Sequence, residues 1–381
     1  VAGYENGFFV RSADGDYELV LTGLIQMGLG IFENKSFDNN SFYPNGVYVN
    51  FDFHYKKKVH ARIEVDFADP TAYPFQGSGL RVTLRDAYLE YLAVPEFNVR
   101  VGNTHVPFTM QGQYAPNEGI TIFAPPFINS WSHGRDPGIM LYGTFNNMIE
   151  YRVGVHNGEF SNQTNQDDDF LVAGQLRVYF LGKDKNANTY LHIGGMRNRI
   201  TTTPGANGRA GLVAPWGRPI FDGADNNPHD KYDVGGVNPD PEIEALRQEE
   251  DTVRGWATGG YAGLRFQKEL DNGGEFRVDS DFMYMSWERN LKDPADPTVG
   301  RLPYLHGWGT SFATSYRHPI MKDIKGSGII PAFAFSYSQI DNKKTDHPGD
   351  IRGQRVYTYT AGLRSEERRV GKECKSRVSP Y

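Results

Sequence analysis

Apolar and polar residues alternate along most of this chain, most clearly between Val47 and Phe67. Val47, Val49, Phe51, Phe53 and Tyr55 share one parity, and Tyr48, Asn50, Asp52, His54 and Lys56 the other. After a turn of three lysines the alternation resumes, with Val59, Ala61, Ile63, Val65 and Phe67 against His60, Arg62, Glu64 and Asp66. Successive side chains of a strand point to opposite faces, so this stretch is a β-hairpin with one oily and one charged face. The polar face of a soluble sandwich seldom carries His, Arg, Glu and Asp at four consecutive positions between such long apolar rows. A barrel with lipid outside and water inside requires both faces at once.

The same pattern recurs. Strands are predicted at residues 17–31, 80–92, 97–101, 138–144, 149–156, 170–180, 190–197, 255–267, 275–287, 304–316, 329–340 and 354–363, which with the opening hairpin makes fourteen. In the 80–92 strand the apolar parity shifts near Arg85 and Asp86, from Leu80, Val82 and Leu84 to Ala87, Leu89 and Tyr91, which predicts a β-bulge there. Short turns such as 56–58 and 271–274 alternate with long polar loops, as periplasmic turns and extracellular loops do. The fold class is therefore all-β, a transmembrane antiparallel barrel. Single-chain bacterial barrels use even strand numbers, and further C-terminal strands bring the expected total to sixteen. The expected organisation is a lead-in over 1–16 and the barrel over 17–363, with a constriction loop at 103–134 and an acidic loop at 200–251.

Composition sharpens this picture in three places. No run of about eighteen apolar residues exists, which excludes a helical span but not a barrel, where only alternate residues meet lipid. Residues 364–381, RSEERRVGKECKSRVSPY, resemble the translated read-through of a sequencing adapter and interrupt the last strand in mid-pattern. They contain the sole cysteine, Cys374, together with six basic and three acidic residues, so the chain without them carries −9 rather than −6. A cysteine-free remainder suits passage through an oxidising periplasm. The 200–251 loop holds ten acids against four basic residues and so carries most of that charge. The chain begins at Val1, so either a signal peptide was removed or the sequence starts internally.

Several segments, in order, resemble the phosphate-selective porin O and P family. These are GFFVRSADGDYELVLTGLIQ (7–26), LRDAYLEY (84–91), RVGNTHVPFTMQ (100–111), ITIFAPPFINSWSHGRDPGIMLYG (120–143) and YRVGVHNGEF (151–160). The resemblance implies a trimeric sixteen-stranded barrel in the outer membrane, a third loop folded into the lumen, and a basic ladder that leads small inorganic or organic anions such as phosphate through it. The 103–134 loop is then the constriction. Pro107, Pro116, Pro125 and Pro126 keep it from continuing as a paired strand, and Phe108, Phe123, Phe127, Ile128 and Trp131 give it apolar mass to pack against the wall.

The sequence departs from the family where a lysine usually precedes Pro-Phe: His105 stands there, and no Lys or Arg lies between Val101 and Gly134. His105 and His133 are the basic groups of the loop, and imidazole, with a reference pKa near 6.5, attracts anions more strongly on acidification. Arg135 returns the chain to the wall, either at the narrowest point or paired with Asp136 or a wall carboxylate. On the walls, His60, Arg62, Arg100, Arg152 and Arg177 have lumen parity and form the candidate anion path, since stacked guanidiniums draw anions inward. Glu64, Asp66, Glu90 and Glu150 share those faces, so cross-lumen pairing is the competing role.

No nucleophile elbow, P-loop, zinc-protease motif or cysteine pair occurs, and no enzyme activity, cofactor or metal site is expected. Basic stretches interleaved with aromatics are absent, which excludes nucleic acid as a partner. The expected function is passive diffusion through an outer-membrane porin. The alternative is a non-channel barrel with a surface-binding or structural role.

Overall fold

The computed structural model describes residues 1–4, 7–30, 41–67, 82–110, 126–159, 164–165, 169–180, 189–201, 253–291, 301–320, 328–342 and 354–366. The expected acidic loop falls almost wholly outside these residues, as does the tail beyond 366. One antiparallel sheet contains sixteen strands in chain order. They are β1 (Ala2–Tyr4), β2 (Phe8–Arg11), β3 (Tyr17–Gly30), β4 (Ser41–Tyr55), β5 (Val59–Asp66), β6 (Thr83–Val94), β7 (Phe97–His105) and β8 (Arg135–Phe145), followed by β9 (Ile149–His156), β10 (Leu171–Tyr179), β11 (Tyr190–Thr201), β12 (Val253–Glu269), β13 (Glu275–Leu291), β14 (Arg301–Pro319), β15 (Gly328–Asn342) and β16 (Gln354–Glu366). The single helix among the described residues, α1 (Pro126–Trp131), lies between β7 and β8. Pro126 heads it, where a missing N–H leaves no bond unmade.

β3 to β16 are the fourteen strands that alternation predicts. The other two come from the lead-in, where β1 pairs with β2 and β2 with β3. The predicted bulge is present: Ile63 pairs with Ala87 and Val65 with Leu84, so Arg85 and Asp86 together oppose Glu64. Polarity is inverted relative to a soluble protein. Phe53, Leu89, Val101, Leu141, Val153, Ile193, Phe282 and Phe333 are exposed on one face, while Asp66, Glu90, Glu150, Arg177, Asp279 and Asp281 are buried on the other. That is the distribution of a wall with lipid outside.

Turn chemistry distinguishes the two ends of the sheet. The β4–β5 and β8–β9 hairpins close through Lys56 and Lys57 (φ 48° and 53°) and through Asn146 and Asn147 (φ 49° and 54°). Both are primed turns, whose twist matches that of the strands they join. These turns lie at the short-turn end, opposite the segment that joins β7 to β8. The ladder runs unbroken from β1 to β16, and among the described residues no bond joins those two strands. Curvature is shown instead by α1, which leaves between β7 and β8 yet packs on β13 and β14. On a flat sheet β14 would lie about 33 Å from β7 at ~4.8 Å per strand.

Candidate permeation path

The loop is held to the inner wall by apolar side chains seated in glycine notches. Val106, Phe108, Met110, Phe127, Ile128 and Trp131 form one buried cluster with Leu171, Tyr261, Met283, Met285 and Trp287 of the wall. Trp131 meets Trp287 edge to face at 5.6 Å, and Phe127 meets Trp131 at 5.9 Å. A Cβ at Gly309 would stand 2.5 Å from the Phe127 ring, and one at Gly194 would stand 2.0 Å from the Phe108 carbonyl oxygen. Bulk at either position is therefore incompatible with this seating. His192 fixes the same carbonyl: its Nε2 donates to Phe108 O at 3.1 Å, and Arg177 Nε donates to its Nδ1 at 3.2 Å. The two bonds define the Nε2–H tautomer. Met283, Met285 and Trp287 give β13 apolar residues on both faces, a sign in the sequence that something apolar lies inside.

The loop returns through Gly134, whose φ of 73° is left-handed and suits glycine. Beyond it Asp136, fully buried, accepts from Gly158 N at 2.5 Å and pairs with His133 Nε2 at 3.0 Å. His133 is thus committed to a carboxylate of the loop base. His105 is the last residue of β7 and pairs in register with Arg135, the first of β8. Both therefore belong to the wall, His105 two residues inside the expected 103–134 loop and Arg135 one residue beyond its end. His105 Nδ1 is buried without a hydrogen bond.

Arg135 takes the pairing role. Its Nε lies 2.6 Å from Asp86 and its Nη2 3.2 Å from Glu64, the carboxylates that the bulge aims inward. Arg85, from the same bulge, bonds Glu64 at 3.1 Å and stacks 4.3 Å over Tyr48. Further along the wall Arg62 pairs with Asp52 at 2.9 Å. His60 bridges Asp52 at 2.9 Å and Glu90 at 2.6 Å, with His54 stacked on its ring at 4.6 Å. Arg100 Nε donates to Glu90 at 2.5 Å, and its guanidinium lies 4.1 Å over Tyr88. Arg152 pairs with Glu150 at 3.1 Å, and Arg177 reaches the same carboxylate at 3.5 Å.

The eight sequence-predicted site residues thus occur on β5 and β7 to β10, or on the loop base, and all but His105 have acidic partners. The sequence reading missed a second cluster, in which Arg265 holds Asp279 through two bonds of 2.8 and 2.9 Å and Arg277 adds a third at 2.9 Å. Register alone would have found it, since the 271–274 turn places Arg265 opposite Asp279. Across β14 and β15 the described residues that are both buried and polar are uncharged, namely Ser311, Ser315, Ser336 and Ser338. The wall therefore has an ionic side and a hydroxyl side.

In many pairs the cation stands forward of the anion. Side-chain exposures are 31% for Arg62 against 13% for Asp52, 17% for Arg100 against 5% for Glu90, and 25% for Arg152 against 5% for Glu150. In each of these pairs the carboxylate is the more buried member and the arginine side chain the more exposed.

Residues 22–217 match the model of the family described as phosphate-selective porin O and P. Among solved structures the chain is similar to outer-membrane expressed OmpT of Vibrio cholerae, at 9% identity over 93% of this chain and 83% of that one, with a TM-score of 0.49. It is also similar to the outer membrane channel DcaP of Acinetobacter baumannii, at 11% identity over 95% and 98%, with a TM-score of 0.45. No curated protein matches the chain. The match covers more than half of the sequence and includes the bulge, the loop base and the arginine wall, so the chain belongs to the phosphate-selective porin O and P family and is an outer-membrane β-barrel porin.

Proposed function

We propose that this porin passes small anions, phosphate among them, by passive diffusion along the arc formed by Arg62, Arg85, Arg100 and Arg152. The observation that carries this reading is the ordering within the ion pairs. A permeant ion that touches the wall meets guanidinium first, and the carboxylate behind holds each cation in place without occupying the lumen surface. Guanidinium stays charged and binds oxyanions through paired N–H groups. Exposure to water and a neighbouring acid keep each site weak enough to release its ion, as conduction requires. The loop, seated on the hydroxyl side and on β13, narrows the lumen opposite this arc, with His105 and Arg135 at its root. Transport of this kind involves no chemical step. The family implies a homotrimer in the lipid bilayer.

Replacing Arg62, Arg100 and Arg152 one at a time by glutamine tests the arc. Each variant is expected to shift the reversal potential under a KCl gradient toward cations, because the carboxylate behind becomes the wall's first charge. Unchanged reversal potentials in all three would remove the arc from the path and leave a non-selective pore.

A further inference from the structure

The outer face of β11 to β14 changes character from one cross-strand row to the next. Arg197, Thr258, Ser286 and His306 form one row, Gly195, Gly260, Tyr284 and Trp308 the row beneath, and Ile193, Ala262, Phe282 and Thr310 the next toward the short turns. The first is polar and the third largely apolar, with Tyr284 and Trp308 between them as interfacial aromatics are placed. The upper row therefore lies at the membrane boundary on the long-loop side. There an outward arginine costs far less than it would at the midplane of the bilayer.

Arg197 is exposed, and its guanidinium lies 4.2 Å over the ring of Trp256. The lumen arginines of the arc each hold a carboxylate. Among the described residues none lies within ion-pair distance of Arg197, although its neighbour Arg199 pairs with Asp169. Gly195 and Gly260 beneath it add no bulk, so the cation is open toward the lipid. No described residue supplies its counter-ion, and the anions present at that depth outside the wall are headgroup phosphates.

We propose that Arg197, oriented by Trp256, anchors a phosphate group of a lipid in the extracellular leaflet. The planar guanidinium offers two N–H groups to one phosphate, and the stacked indole restricts its rotamers before the lipid arrives. Ser286 and Thr258 supply hydroxyls along the same row for the rest of a phosphorylated glycolipid headgroup. The site is on the outer wall and does not depend on the ion preference of the lumen.

The test uses the full-length porin extracted in mild detergent, as wild type, Arg197→Gln and Arg197→Lys. Each is titrated with purified lipopolysaccharide, with the same material after dephosphorylation, and with inorganic phosphate, and the thermal midpoint is read. Intact lipopolysaccharide is expected to raise the wild-type midpoint where the other two additives do not. Arg197→Gln is expected to weaken that response about five-fold, with Arg197→Lys in between. An equal response in Arg197→Gln, or an equal response to the dephosphorylated lipid, overturns the proposal. So does loss of the oligomer in Arg197→Gln with lipid retention unchanged, which would make the row a contact between copies. The reversal potential of Arg197→Gln should equal that of wild type, so failure here leaves the permeation reading intact.

Discussion

Gly194→Ala is the sharpest test of a lumenal loop, because the perturbation is one methyl group and its target is a backbone atom. The added Cβ would stand 2.0 Å from the Phe108 carbonyl oxygen, far inside contact distance, and no side-chain rotation relieves it. Either the strand or the loop has to move. β11 is hydrogen-bonded along both edges, to β10 and to β12, whereas among the described residues the loop is held at Phe108 by the bond from His192. The loop therefore lifts. Overpacking of this kind costs about 1–3 kcal/mol, and loss of the His192 bond adds about 1 kcal/mol. A total of about 2–4 kcal/mol lowers the ratio of seated to lifted loop about 30- to 1,000-fold. Single-channel recording in planar bilayers is the assay, with larger conductance and more open-state noise as the expected result. Gly260→Ala on the adjacent strand is the control: a Cβ there meets nothing within 4 Å, on the opposite face of the sheet. If Gly194→Ala and Gly260→Ala conduct alike, the loop does not sit where its contacts place it.

Further predictions concern the wall and its turns. Arg135→Gln leaves Asp86 and Glu64 facing each other with one cation fewer, which should destabilise the barrel by about 3–5 kcal/mol, read as a lower thermal midpoint in detergent. An unchanged midpoint would mean that Arg85 alone neutralises both. Lys57→Gly relieves a left-handed lysine at φ 53° and should stabilise the β4–β5 hairpin by about 1 kcal/mol, measured in urea against the folded band on a gel. Trp131→Ala removes a fully buried ring from the loop anchor, at about 3–5 kcal/mol, and should raise the size limit for sugars in liposome swelling. Any anion preference should fall between ~0.1 M and ~1 M salt, as the screening length drops from about 10 Å to about 3 Å; a preference independent of salt would point to a steric filter.

Much of this architecture is legible in the sequence because a barrel repeats one rule. Alternation located β3 to β16, and the parity shift at Arg85 and Asp86 located the bulge, because a one-residue slip exchanges the faces. It also put His60, Arg62, Arg100, Arg152 and Arg177 on the inner face. What it left open is the partner of each. Parity says that Arg100 and Glu90 share a side, and register is needed to say that they are opposite one another. Arg265 and Asp279 went unnoticed for that reason. His105 looked like a loop residue because Pro107 follows so closely, yet the β7 ladder continues to it, since a proline interrupts pairing only at its own missing N–H. The greater exposure of these arginine side chains relative to their carboxylates is a property of side-chain length and packing in three dimensions, and no pattern of spacing encodes it.

The most direct measurement is the reversal potential of the wild-type porin across a planar bilayer under a KCl gradient at low ionic strength. A potential of the sign set by chloride permeation is the predicted result, since the side chains of Arg62, Arg100 and Arg152 are more exposed than the carboxylates they pair with. A potential set by potassium would contradict it, and would assign control of the pore to the acids behind.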